Sequence, residues 1–302
     1  MGEAVDLSQV KRWFGGAVSL SAQSHAGRAP GALAGPVARG AEAVQPQAEL
    51  ALWNKARVEV VEQLWGEGFV HPGGIDELLH MINPMGLSGA DTLLLLGAGP
   101  FGAARSITTA RQCWVESYER DPDLQALASH RAELAGLKKR APTHLLEPAP
   151  QFRAKSASHT LCWQALIDDA SVAPLLSGVA AATRPGGQLV MVELVADGAM
   201  QDGIERRWMR LEGRDTPPPK TSVVVAELKR LGFDVRIAED MSANHVSQAI
   251  SGWQSMLGAI ATQRPSVKQA GQMVGEAEIW MLRMKLLGMG RLRLMRWQAI
   301  RR

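Results

Sequence analysis

The sequence predicts an α/β protein, with a mostly parallel sheet and helices on both faces. Three observations predict it. From residue 92 onward, short apolar runs alternate with segments of helical spacing. The first run, Leu93-Leu94-Leu95-Leu96, meets the turn Gly97-Ala98-Gly99-Pro100-Phe101-Gly102, which opens a helix-compatible segment. The next run is followed by an acid, Glu119, about 20 residues after the first glycine. Such a turn lies at the carboxyl end of a buried strand. There, glycines let a ligand approach the backbone, and main-chain N–H groups at a helix N-terminus can face it.

The elements follow in order. Residues 5–20 have Val10, Trp13 and Phe14 at helical spacing, and Gly15-Gly16 weakens the helix beyond them. This helix reads equally as a tether, a lid or an element without a definable role. Residues 22–47 are rich in Ala, Gly, Pro, Ser and Gln without periodicity, so 1–47 reads as a flexible arm. Residues 48–90 form a helical cap: Leu52, Trp53, Ala56, Val60 and Leu64 share a helix face, the turn-rich loop 66–74 follows, and a short helix covers about 75–82. The core, 91–302, has strands at about 92–96, 113–118, 143–147, 159–164, 188–195, 233–238 and 291–299. Its helices lie at about 102–111, 122–135, 171–183, 221–231, 243–262 and 266–288. A charged insertion at 199–220 is helix-like until Pro217-Pro218-Pro219 breaks it.

Composition narrows the class. The 302 residues are 46% hydrophobic and 21% charged, as in a soluble globular protein. No run approaches the roughly 18 apolar residues of a membrane span, and the first residues carry no apolar signal core. Asp6 stands where a myristoylation motif needs Ser or Thr, and the expected location is cytoplasmic. Cys113 and Cys162 fall in expected strands, as free buried thiols. The net charge is +3, yet residues 283–302 carry seven basic residues and no acid. That cluster is either a solvated terminal face or a contact for an anionic surface. No basic, aromatic-interleaved face occurs elsewhere, which argues against nucleic acid as a partner.

The glycine turn and Glu119 fit two kinds of cofactor site. Gly97, Gly99 and Gly102 match a dinucleotide fingerprint, and Glu119 is placed to accept from a ribose diol. A nicotinamide oxidoreductase fits these features. Against it stand the cap ahead of the first strand and the lack of a second mononucleotide half after the fifth. The turn Thr183-Arg184-Pro185-Gly186-Gly187-Gln188-Leu189 and the segment Leu231-Gly232-Phe233-Asp234-Val235 point elsewhere.

With these motifs in order, the chain resembles class I S-adenosylmethionine-dependent methyltransferases over roughly 48–299. The loop Glu62–Gly74 resembles the one before the core in small-molecule enzymes of the phosphoethanolamine and glycine-betaine type. The resemblance implies a Rossmann-like, seven-stranded sheet and S-adenosylmethionine as cofactor. It implies methyl transfer to oxygen or nitrogen of a small-molecule acceptor. It places Gly97, Ala98, Gly99, Gly102, Glu119, Arg120, Glu147 and Trp163 at the cofactor, and Phe69, Trp163 and Arg207 at the acceptor. His71 and Glu193 are the candidate catalytic groups, with His71 first as a general base. Each residue has a structural alternative: His71 as a capping histidine, Trp163 as core, Glu193 as an ion-pair partner, and Arg207 as surface. His159 reads as structural. The stripe Trp280, Met281, Met284 and Leu287 reads as a helix core face.

The chain departs from the family at Leu95, where an acid usually stands two positions before the first glycine. Its only tyrosine, Tyr118, falls in a strand, so the substrate tyrosines of the phosphoethanolamine type are absent. No Asn/Asp-Pro-Pro-Tyr/Phe follows the fourth strand. A methyltransferase-fold protein without catalysis, acting as a scaffold or binding partner, therefore also fits.

Overall fold

A computed structural model describes residues 8–14, 52–198, 200, 202–262 and 264–302. The arm expected over 1–47 lies outside these residues apart from α1 (Ser8–Phe14). The cap contains α2 (Lys55–Trp65) and α3 (Gly74–Ile82). The core then runs β1 (Thr92–Leu96), α4 (Gly102–Arg111), β2 (Trp114–Glu119), α5 (Pro122–Leu134), β3 (Thr143–Leu145), β4 (His159–Trp163), α6 (Asp169–Ala182) and β5 (Gln188–Val195). After α7 (Gly203–Leu211) and α8 (Thr221–Arg230) come β6 (Phe233–Asp240), α9 (Ser242–Thr262), α10 (Val267–Gly288) and β7 (Arg293–Arg301).

The strands form one seven-stranded sheet in the order β3-β2-β1-β4-β5-β7-β6. All pairs are parallel except those made by β7, which runs antiparallel to both β5 and β6. A dinucleotide fold would continue with parallel strands in a second half. The reversed β7 stands there instead, so the sheet departs from the dinucleotide-binding order. The order reverses between β1 and β4, and an open sheet of this kind binds ligands beyond the strand ends at that point.

Alternation along β1 builds both layers of core. Leu93 and Leu95 pack with α4 and α5 on one face, while Leu94 and Leu96 pack with α6 and α8 on the other. Carboxylates start the helices that leave the sheet. Asp121 accepts from the N–H groups of Asp123 and Leu124 at the head of α5, and Asp168 forms a capping box with Ser171 at the head of α6.

An element with consequences for the site is the helical pair α9–α10, inserted between the antiparallel neighbours β6 and β7. It folds back over the first face, where α10 packs on both α2 and α7. Phe14 of α1 stacks on Trp253 of α9 at 4.6 Å, so the opening helix is part of this packed layer.

The basic C-terminal cluster is largely neutralised within the chain. Arg283 pairs with Glu212, Arg291 with Glu205, Arg293 with Asp197, Arg296 with Glu239 and Arg302 with Asp234. Five of its seven basic residues thus have an acidic partner, as in a terminal face that joins β7 and α10 to the rest of the chain. Among the described residues, no helix is long and apolar enough to cross a membrane. Cys113 and Cys162 are both buried and unbonded; Cys113 precedes β2 rather than lying within it.

Candidate active site

A cavity of about 610 Å³ opens at the switch point. That is within the usual range for small-molecule sites. Gly97, Glu119, Arg120, Trp163 and Gln164 form its floor at the strand ends, and Val70 and His71 come from the cap loop. Trp53 and Arg57 from the cap, Glu212 and Arg214 from the insertion, and Glu276, Trp280 and Arg283 from α10 form the far wall.

Gly97 is required by sterics. Its φ is +77°, and an added Cβ would collide with the Trp163 carbonyl of β4. Here the chains after β1 and β4 pass too closely for any side chain. Gly99 also has a positive φ, +59°. Gln164, the first residue beyond β4, sits at φ 51° without being glycine. A non-glycine residue in this region carries strain, which is stored here beside the cavity.

The N–H groups of the glycine turn are engaged within the protein, contrary to the expectation that they face a ligand. Gly97 and Ala98 donate to the Tyr118 carbonyl at 3.0 and 3.2 Å. Gly99 donates to the Glu119 carboxylate at 2.7 Å. Gly102 donates to the Gly68 carbonyl at 2.9 Å. Gly102 thus serves the cap loop: its added Cβ would lie 2.5 Å from the Gly68 carbonyl carbon. We expect Gly102→Ala to destabilise the fold by about 1–3 kcal/mol through overpacking, measured by denaturant unfolding.

Glu119 organises the floor. Besides Gly99, it accepts from the N–H groups of Arg120 at 2.8 Å and Asp121 at 3.1 Å. Burial raises its pKa, and these three bonds oppose the rise. A carboxylate has about four lone-pair sites, so roughly one remains for a ligand hydroxyl. Arg120 donates to the Ala165 carbonyl and separates the large cavity from a second one of about 360 Å³. Glu147, expected at the cofactor, is exposed and lines only this second cavity, because β3 ends at Leu145.

His71 lies on the cavity wall, 5.0 Å from the Trp163 ring. The Gln164 side-chain amide, as assigned, donates to its Nδ1 at 3.1 Å, leaving the proton on Nε2. Burial, and then the positive Arg283, lower its pKa to about 3. An effective base has a pKa near the working pH, so this ring is a weak one. His245 behind it is lowered for the same first reason, burial, and its Nε2 has no partner among the described residues.

Both rings therefore stay neutral in the fold at pH values where the unfolded chain protonates them. Their contribution to stability is complete above about pH 6.5 and is lost as pH falls toward 3. Melting temperatures recorded between pH 7 and pH 4 should fall less steeply for His71→Asn than for the natural chain.

Three further expected site residues stand elsewhere. Glu193 is 1% exposed and off the cavity wall. Its oxygens accept from the N–H groups of Ala165 at 2.8 Å and Leu166 at 3.2 Å, so it shapes the loop after β4 rather than touching a ligand. Arg207 points to solvent and pairs with Glu278. Phe69 is buried beneath the floor, 6.4 Å from Trp163, where it packs against the glycine turn. His159, as expected, is structural and accepts from the Gln188 N–H at 3.1 Å.

The far wall carries functional residues that the sequence alone did not point to. Arg57 bonds Glu276 at 2.9 Å and lies over Trp53, with 4.3 Å to the ring centroid. Trp280 donates to Glu276 at 3.1 Å, and Arg283 lies 4.5 Å over the Trp280 ring. Trp280 is both core and cavity wall, and Glu276, Trp280 and Arg283 are spaced four and three residues apart on one helix face. That spacing was a readable signal, but the sequence did not show which strand ends the face would cover.

Several solved structures share this architecture. A phosphoethanolamine N-methyltransferase of Haemonchus contortus, described in complex with S-adenosyl-L-methionine, superposes with a TM-score of 0.68 at 15% identity, over 81% of this chain and 56% of that one. A geranyl diphosphate C-methyltransferase of Streptomyces coelicolor A3(2), described with Mg2+, geranyl diphosphate and S-adenosyl-L-homocysteine, gives 0.57 at 11% identity, over 75% and 78% of the chains. The [4+2]-cyclase SpnF gives 0.59 at 16% identity, over 82% and 92%. This chain thus spans just over half the length of the phosphoethanolamine enzyme. No family profile and no curated protein matches the sequence. The chain has the class I methyltransferase fold, and the resemblance carried by its glycine turns holds at that level.

Proposed function

We propose that the chain catalyses S-adenosylmethionine-dependent methyl transfer to oxygen or nitrogen of a small-molecule acceptor. One observation carries the reading. The Glu119 carboxylate, at the end of β2, and the side-chain-free Gly97, at the end of β1, share the wall of one cavity at the switch point of a methyltransferase sheet. The methyltransferase neighbours described with S-adenosylmethionine or S-adenosylhomocysteine support it.

The residues present fit such a cofactor. Glu119 retains an acceptor site for a ribose hydroxyl, Gly97 permits close approach, and Trp163 offers an aromatic edge. Arg120, between the two cavities, can lie over a purine. The bound cofactor would supply a methyl group on a sulfonium, already activated for displacement. The protein then has to orient the acceptor and exclude water. The cap, the insertion and α10 do this by enclosing the cavity from three sides. His71, held neutral with its proton on Nε2, is a hydrogen-bond donor toward the cavity.

A second reading has its own support. Leu95 is wholly buried beneath the turn, so no carboxylate stands there. With the turn's N–H groups already engaged, this favours a binding protein that keeps the fold without turnover. Incubation with methyl-labelled S-adenosylmethionine and a panel of carboxylate, phosphate, amine and phenol acceptors separates the two. Label transferred to any acceptor supports the enzyme, and binding without transfer across the panel favours the scaffold.

A further inference from the structure

Among the described residues, four arginines reach the large cavity, and they are not equivalent. Arg57 is paired with Glu276 and Arg283 with Glu212. Arg120 and Arg214 have no carboxylate within ion-pair distance among the described residues. Each donates instead to a main-chain carbonyl, Arg120 to Ala165 and Arg214 to Ile167, the latter at 2.9 Å. A carbonyl accepts a hydrogen bond but does not neutralise a guanidinium. Arg214 also lies within the electrostatic reach of the Glu212 carboxylate, of the positive Arg283 and Arg120, and of Glu193.

The acids around the cavity have hydrogen-bond partners but keep their charge. Glu119, Asp121 and Asp168 accept main-chain N–H groups, Glu276 holds Arg57 and Trp280, and Glu212 holds Arg283 and Trp208. Asp215 is exposed. After Glu212, Glu193 is the second carboxyl acting on Arg214. Burial pushes it up to about 8, against the main-chain N–H groups of Ala165 and Leu166 and the nearby Arg120 and Arg214. At the end of the cavity away from the glycine turn, Arg214 is thus a guanidinium with N–H groups and no ion-pair partner among the described residues, beside the indole rings of Trp53 and Trp280.

We propose that the methyl acceptor is an anion, a carboxylate or phosphate on an apolar body, with its charged oxygens on Arg214 and its body against Trp280. This deepens the methyltransferase reading and rests on it. Arg214 takes the role expected of Arg207. The two residues lie in the same insertion, but only Arg214 turns inward. A planar guanidinium with free N–H groups suits bidentate recognition of either oxygen group.

The test uses the full chain loaded with S-adenosylhomocysteine. Calorimetric titration compares benzoate, phenyl phosphate, benzyl alcohol and benzylammonium, four probes with one ring and different charge. At least one anion should bind ten-fold or more tightly than benzyl alcohol, and the better anion distinguishes carboxylate from phosphate. Arg214→Gln should erase that preference while changing S-adenosylhomocysteine affinity less than two-fold, and Arg214→Lys should restore part of it. Equal or tighter binding of the neutral or cationic probe overturns the proposal, as does failure of both anions to bind. It is also overturned if Arg214→Gln weakens S-adenosylhomocysteine ten-fold but not 5′-methylthioadenosine, because the arginine would then hold the cofactor's own carboxylate. The comparison within the natural chain decides the matter even if the variants fail to fold. If S-adenosylhomocysteine does not bind, the methyltransferase reading fails separately, and the same probes on the unloaded protein still read the anion site.

Discussion

Glu119→Ala should weaken S-adenosylhomocysteine binding by about 10- to 100-fold, the range expected when hydrogen bonds to a charged group are lost. Two effects combine. The ligand loses its acceptor at the end of β2, and the N–H groups of Gly99, Arg120 and Asp121 lose the carboxylate that holds them. Glu119→Gln separates the two, because the amide keeps an acceptor oxygen and the side-chain shape. We expect it to bind more weakly than the natural chain but more tightly than the alanine variant. Isothermal titration measures the affinity, and circular dichroism melting verifies that each variant is folded. Unchanged affinity in the alanine variant would remove Glu119 from the site.

Glu276→Ala should cost about 3–5 kcal/mol of stability, the range found when one partner of a buried ion pair is removed. The Arg57 and Glu276 side chains are only 11% and 5% exposed. Removing the carboxylate strands the guanidinium and leaves the Trp280 indole N–H without its acceptor. For a chain of this size, such a loss lowers the melting temperature by roughly 6–20 °C. The double variant Arg57→Met/Glu276→Leu should recover much of it, because replacing a buried pair by apolar side chains is often neutral. A double variant as unstable as the single one would show that shape, not charge, dominates this contact. This pair joins the cap to α10, so the cavity wall and the fold fail together.

The sheet was legible because local signals agreed with one another. Leu93–Leu96 followed by Gly97 has one good reading, a buried strand into a tight turn, and the bounds 92–96 and 188–195 match β1 and β5. The floor of the site was legible for the same reason, since Gly97, Glu119 and Arg120 sit at strand ends whose place is set by sheet topology. What the sequence hid is long-range. It showed α9 and α10 as helices but not that the pair, inserted between β6 and β7, folds over the first face and delivers Glu276, Trp280 and Arg283 to the cavity. Arg207 and Arg214 are alike in the sequence. They differ only because α7 turns one to solvent and the loop after it turns the other toward Ile167. Gly102 matched the fingerprint, yet its neighbour is Gly68 of the cap loop, a contact that spacing along the chain does not encode. Glu193 and His71 were plausible by residue type, and burial is what changed their chemistry.

A methyltransferase of this fold must hold S-adenosylmethionine in the cavity at the strand ends. Isothermal titration of the full chain with S-adenosylmethionine, S-adenosylhomocysteine and NADH tests it most directly. Dissociation constants on the order of micromolar are expected for the first two, an affinity of about −8 kcal/mol, with no heat from NADH. Absence of binding by both adenosyl compounds would contradict this, and would mark Leu95 as the sign of a cofactor site that the fold no longer supports.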